Sequence, residues 1–281
     1  MIAMKNVVKK NKKKSLILLY ALLGVSIAGI LFFTAWMGYD YFRDWQSQRF
    51  YTAVAADVET RPHSSMPSPA IVENIDVSED GVEELGEDIE EELWVPYVDF
   101  EELAERFVGI KAWIKLEGTA INYPIMQWTD NYHFLGTLPD GTSHRSGSIF
   151  LDFRNSPDFT DRNTLIYGHE SRTDDMFGAL KHFRNQDFAD EHNIFYIHTP
   201  YRDYHLIAFA GYLVDSAREQ PRINFADDED FMIYIEDIRS RSLFSSDVEV
   251  TAEDRIVSLC TCAYDFPNAR WVVVGKLGAI E

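Results

Sequence analysis

Only two cysteines occur in the 281 residues, Cys260 and Cys262, one residue apart. That excludes a disulfide-stapled scaffold, which needs several cysteines spread along the chain. A bridge between these two would itself be strained, since residues two apart in extended backbone project from the same side. Both read as free thiols. Cations are also short, 26 Lys and Arg against 46 Asp and Glu, for a formal charge of -20. A phosphate-binding surface needs clustered cations, and the cluster here lies in the first fifteen residues, so nucleic-acid binding is excluded. The acidic stretches contain no regular Asp-Xaa-Asp loop of the calcium-binding type. Solvated charge accounts for them, and neither a metal nor a cofactor is expected.

What is present begins with six lysines, Lys5, Lys9, Lys10, Lys12, Lys13 and Lys14, followed by an uncharged apolar run from Ser15 to Tyr39. A helix needs about 20 apolar residues to cross a bilayer, and lysines accumulate on the cytoplasmic side. Residues 1–14 therefore read as a cytoplasmic tail, 15–39 as a single transmembrane signal anchor, and the remainder as extracellular. The rival is a cleaved signal peptide with Ala53-Val54-Ala55 as the cleavage site. That site lies far beyond the apolar run, and the run exceeds the roughly 7–15 residues of a signal-peptide core. Residues 40–95 read as an acidic, disordered stalk: 60–70 are rich in Pro and Ser, and 73–92 are crowded with Glu and Asp. Such a composition buries too little surface to offset its ordering entropy.

Residues 96–281 have the pattern of a folded domain. Asp99 is placed to cap a short helix, Phe100 to Phe107, with Phe100, Leu103 and Phe107 at helical spacing. Eight short runs rich in β-branched and aromatic residues then alternate with turn residues: Ala112–Leu116, Ile121–Gln127, Ser148–Phe153, Thr164–Gly168, Ile194–His198, Tyr204–Val214, Arg255–Cys262 and Trp271–Leu277. The fold class is mainly β, a barrel or a sandwich. Helical segments are expected over Thr173–Phe183 and Ala226–Leu243, the latter with Phe231, Ile235 and Ile238 on one face.

Two strand ends carry reactive side chains. Ser258-Leu259-Cys260-Thr261-Cys262 closes one apolar run, with Arg270 shortly after it, and Asn163-Thr164-Leu165-Ile166-Tyr167-Gly168-His169 closes another. A thiol, an imidazole and a guanidinium together point to acyl transfer. The plain alternatives are buried hydrophobic cysteines, a structural strand-end histidine, and an Arg270 paired with Asp265. Arg255 is the other arginine near the cysteines, but it begins the same strand and belongs at its far end.

SLCTC resembles the sortase signature Thr-Leu-Xaa-Thr-Cys, with Ser258 in place of the first threonine, and NTLIYGH resembles the segment carrying the sortase histidine. WIKLEGTAINYPIMQ from Trp113, GSIFLDFRN from Gly147 and Met176-Phe177-Gly178 point to class B. The resemblance implies an eight-stranded β-barrel with an N-terminal helix and a class B helix between strands 6 and 7. It implies a cysteine transpeptidase that cleaves a sorting motif after Thr, forms a thioacyl-enzyme and transfers the protein to an amine of the peptidoglycan precursor. On that reading Cys262 is the nucleophile, His169 the acid/base and Arg270 the oxyanion partner, while Asn122, Met126, Cys260 and Thr261 line the substrate groove. A pilin-polymerising sortase, a hydrolase that cleaves without ligating, and a catalytically silent surface binding module remain as alternatives.

Overall fold

A computed structural model describes residues 2–59, 98–171 and 173–280. Its strands are β1 (Ile110–Leu116), β2 (Asn122–Met126), β3 (Ile149–Leu151), β4 (Asn163–Tyr167), β5 (Ile194–His198), β6 (Asp203–Asp215), β7 (Arg255–Cys262) and β8 (Ala269–Ala279). They close into a barrel in the order β1-β2-β3-β4-β7-β8-β6-β5. Each expected run contributes its strand. The β2–β3 and β4–β7 pairs are parallel, and β8 runs antiparallel to both β7 and β6. Parallel strands end at the same rim, and an antiparallel neighbour begins there. The topology thus gathers the ends of β4 and β7 with the start of β8.

In β7 the residues from Ile256 to Thr261 are all buried, which a strand achieves only with a layer on each side. One layer is the barrel interior. The other is helix α4 (Asp228–Ser240), which sets Phe231, Tyr234, Ile235 and Ile238 against Tyr212, Cys260 and Val272. Asp227 caps it by accepting from the Asp230 backbone N–H. The side chains of Asp228, Glu229 and Asp230 complement the helix dipole in its first turn. The Arg222 guanidinium, with the Ala226 N–H, pulls the Asp230 carboxyl down to about 2.

Helix α2 (Phe100–Arg106) forms as expected, with Asp99 accepting from the Glu102 N–H at 3.0 Å. The helix expected over Thr173–Phe183 does not. Asp174 and Met176 take positive φ values of 62° and 54° there, which a right-handed helix cannot hold. A 3-10 helix follows over Gly178–Arg184, and then helix α3 over Gln186–Glu191.

The chain divides after Phe50 into two units. Helix α1 (Ile2–Glu59) supplies the described part of the first, and its last turns belong to the second. Within Leu19–Val58 the helix is long and apolar enough to cross a membrane. Leu22, Leu23, Val25, Ile30 and Phe32 are all exposed there. Of the disordered stalk expected over 40–95, residues 40–59 are instead helical, as part of α1. Tyr51, Val54, Ala55 and Val58 recur at helical spacing and are buried, so a packed apolar stripe offsets the ordering cost. Residues 60–95 of the stalk lie outside the described residues.

Candidate active site

Cross-strand register assembles the site. Cys262 on β7 stands directly opposite Arg270 on β8, and Arg270 opposite Val214 on β6. On the other side of β7, Cys260 pairs with Tyr167 of β4. His169 lies two residues past Tyr167, as Cys262 lies two past Cys260, and the Gly168 N–H donates to the Cys260 carbonyl at 3.1 Å. Directly opposed side chains are about 5 Å apart at Cβ and share a face. Histidine, cysteine and arginine therefore form a row across three neighbouring strands. All three line one cavity of about 470 Å³, together with Cys260 and Thr261.

A second row lies one step deeper. Phe150 opposes Tyr167, Tyr167 opposes Cys260, and Cys260 opposes Val272. Cys260 is 3% exposed. Burial, with the nearby Asp152 carboxylate, pushes its thiol far up against the weaker pull of Arg270. Cys262, by contrast, is partly exposed. Ser258 donates its hydroxyl to Asn163 Oδ1 at 3.1 Å in a buried position. That bond uses the hydroxyl that serine and threonine share, so Ser258 keeps the group that the threonine of the signature supplies.

Gly168 is fixed by space. A Cβ there would meet Ile149 Cδ1 and lie 2.7 Å from the Phe177 ring, so only glycine lets the chain bring His169 to the rim. The ring's Nε2 is 2.8 Å from the Leu135 carbonyl oxygen. A carbonyl only accepts, so Nε2 carries the proton and, in the neutral ring, Nδ1 is the acceptor.

Competitors for the arginine and histidine roles are occupied elsewhere. Arg255 donates to the Phe159 carbonyl at 2.8 Å, seven residues back along β7 from Cys262, or roughly 23 Å at strand rise. Asp265 is held by Arg184 at 2.9 and 2.7 Å and not by Arg270. His133 stacks on Trp128, and His198 is buried beside Asp203.

The structure does not bring Asn122 or Met126 to this cavity. Asn122 Oδ1 accepts from the Trp113 indole N–H at 2.7 Å. Met126 extends the deeper row beyond Phe150 but is fully buried. The walls come instead from Tyr132 and Leu135 after β2 and Glu219 to Pro221 after β6, which no sequence motif marks, and from Phe153 and Arg154 after β3, which fall within the GSIFLDFRN segment.

Arg154 is half-exposed and held by Asp152, whose side chain is fully buried. Asp152 accepts from Arg154 Nε and Nη2 at 2.8 Å each, from Asn131 Nδ2 at 2.9 Å and from the Tyr167 hydroxyl at 3.1 Å. Burial alone would raise this carboxyl, but the Arg154 and Asn131 hydrogen bonds outweigh it and hold it below the ordinary value. A lowered carboxyl stabilises the fold fully above its unfolded pKa of about 3.9 and loses that contribution as the pH falls further. Asp152→Asn is expected to cost about 2 kcal/mol near neutrality, discounted for the exposure of Arg154. It also flattens the acid limb of stability below about pH 4. Thermal melts across pH check this, and parallel acid limbs for variant and parent would contradict it.

Comparison with known proteins gives the class. The sortase domain family matches residues 114–278, and the chain belongs to the sortase family, whose members are cysteine transpeptidases. Within that family it is class B. Sortase B of Staphylococcus aureus is 36% identical over 180 residues, 63% of this chain and 74% of that protein. Sortase B of Listeria monocytogenes is 34% identical over 181 residues, 64% of this chain and 72% of that protein. A Staphylococcus aureus sortase B–substrate complex superposes with a TM-score of 0.62 at 34% identity, over 65% of this chain and 85% of that one. A Bacillus anthracis protein described as similar to sortase B gives 0.68 at 29% identity, over 84% of this chain and 98% of that one.

Proposed function

We propose that the chain is a membrane-anchored sortase that cleaves a C-terminal sorting motif after threonine and transfers the substrate protein to an amine of the peptidoglycan precursor. The observation that carries this reading is the row in which Cys262 faces Arg270 while His169 stands beside it at the same rim. The Cys262 thiolate attacks the threonine carbonyl carbon. Arg270 holds the oxyanion that develops, since a guanidinium stays charged at any working pH. The C–N bond breaks, His169 gives the leaving amine the proton that its Nδ1 took from the Cys262 thiol while Nε2–H stays on the Leu135 carbonyl, and the C-terminal fragment departs. The thioester retains the acyl group until an incoming amine, deprotonated by His169, attacks it, forms the new amide and releases the thiolate. Cys260 and Thr261 form part of the groove under the acyl segment.

Sortase B of Staphylococcus aureus has been solved with a substrate, and a sortase B with triglycine. These pairings support a sorting peptide as acyl donor and a peptide amine as acceptor. The test is product analysis with a sorting-peptide panel, with and without added triglycine. A ligated product that depends on the amine is expected. Hydrolysed product alone, at every amine concentration, would replace the reading with that of a hydrolase.

Residues 15–39 serve as the anchor and 1–14 as the cytoplasmic tail, with the catalytic domain outside. The lysines ahead of the apolar run support this orientation. Full-length protein is expected to fractionate with membranes, and protease added to wall-stripped cells should digest its domain. A mature protein beginning near residue 56, read from its mass, would instead establish cleavage and release.

A further inference from the structure

We propose that Tyr51, in the last turns of α1, is a positioning residue for His169. The inference rests on the role given to His169 above. Tyr51 is buried and donates its hydroxyl to the Gly147 carbonyl at 2.7 Å. Gly147 has φ +54° and sits against the chain that ends in Leu135. A Cβ at Gly147 would strike the Phe134 carbonyl oxygen and lie 2.7 Å from that of Leu135. The neighbouring Ser148 N–H donates to the Phe134 carbonyl at 2.9 Å. The Leu135 carbonyl is the group that receives the His169 Nε2 proton. Tyr51 thus fixes Gly147, Gly147 fixes the Leu135 carbonyl, and that carbonyl fixes the tautomer and direction of the imidazole.

A second arm reaches the same residue from behind. The Tyr51 ring meets Tyr123 edge-on, with centroids 5.0 Å apart. The Tyr123 hydroxyl accepts from the Met176 N–H at 2.9 Å, and the next N–H, that of Phe177, donates to the His169 carbonyl at 3.1 Å. One side chain of α1 therefore braces both the ring and the backbone of His169. In acyl-transfer sites a third group orients the base so that its free nitrogen faces the nucleophile. Here a backbone carbonyl does this, and its position depends on the helix that precedes the domain.

The test uses full-length protein in detergent, labelled with 15N-histidine, comparing the parent with Tyr51→Phe, Gly147→Ala and Val58→Ala. The parent His169, assigned by its loss in His169→Ala, is expected to show the Nε2–H tautomer. Tyr51→Phe should shift that spectrum towards mixed tautomers and lower kcat about 10-fold, the weight of one hydrogen bond, with KM little changed. Gly147→Ala, which must displace the Leu135 carbonyl, should do the same more strongly. Val58→Ala loosens the same helix without touching Gly147, and should lower the melting temperature while leaving the spectrum alone. If Tyr51→Phe and Gly147→Ala keep the parent spectrum and kcat, or if Val58→Ala alters the spectrum as they do, the positioning role is wrong. The spectrum reads orientation independently of turnover. An active His169→Ala enzyme would thus overturn the catalytic reading by a separate result.

Discussion

Cys262→Ala is expected to reduce transpeptidation to background with an unchanged circular dichroism spectrum, while Cys260→Ser keeps substantial activity. The two thiols lie on one strand face, two residues apart, and differ in surroundings. Cys262 is at the rim, partly exposed, with Arg270 directly opposite. Cys260 is packed under α4 with Phe231, Tyr234 and Val272, and burial keeps its thiol protonated. A thiol that does not ionise is not a nucleophile. Serine at 260 exchanges a well-packed sulfur for a hydroxyl in an apolar cluster and should cost stability of about 1 kcal/mol. Peptide turnover and thermal melts separate these effects. Equal loss of activity from both substitutions, with both folds intact, would show that no single nucleophile exists.

Arg270→Lys should slow the reaction about 100- to 1,000-fold, the usual cost of losing one oxyanion donor. An ammonium retains the charge but not the planar fork. Arg270 Nη1 donates to the Ala269 carbonyl at 3.0 Å, and no acidic residue pairs with Arg270 among the described residues. Its position is thus set by its own backbone and by the strand register, leaving its remaining donors to the cavity. The pH profile should change little in this variant. Substituting His169 should instead abolish amine-dependent resolution, because that residue passes the proton to the departing amine and takes one from the incoming amine. A fully active Arg270→Lys enzyme would assign the arginine a structural role and leave the oxyanion to backbone amides.

The barrel and the three rim residues are legible in the sequence because both rest on local signals. Each strand is a short apolar run between turn residues, and Cys262, His169 and Arg270 sit at run ends where a side chain leaves the core. Parallel pairing of β4 with β7 then converts three separate ends into one site. The walls from the β2 and β6 connections are not legible. Tyr132, Leu135 and Glu219 belong to connections whose placement depends on the barrel's closure, and no periodicity marks them. Asn122 and Met126 show the converse error. They lie on a strand that the sequence identifies, yet one is engaged by Trp113 and the other is sealed in the core. The docked end of α1 is hidden by its neighbours: an apolar run precedes it and an acidic stretch follows, so the stripe Tyr51, Val54, Ala55 and Val58 reads as part of a stalk. The partner of His169 is a main-chain carbonyl, which no side-chain pattern announces.

The central claim is that Cys262 becomes acylated by a sorting peptide and is released by an amine. The most direct measurement is the mass of the intact enzyme after brief exposure to a sorting-peptide panel, followed by proteolytic mapping and a chase with triglycine. The predicted result is an adduct of the acyl fragment on Cys262 alone, which disappears on the chase as the ligated peptide appears. No adduct with any peptide, an adduct on Cys260, or an adduct on Cys262 that triglycine does not discharge would contradict it.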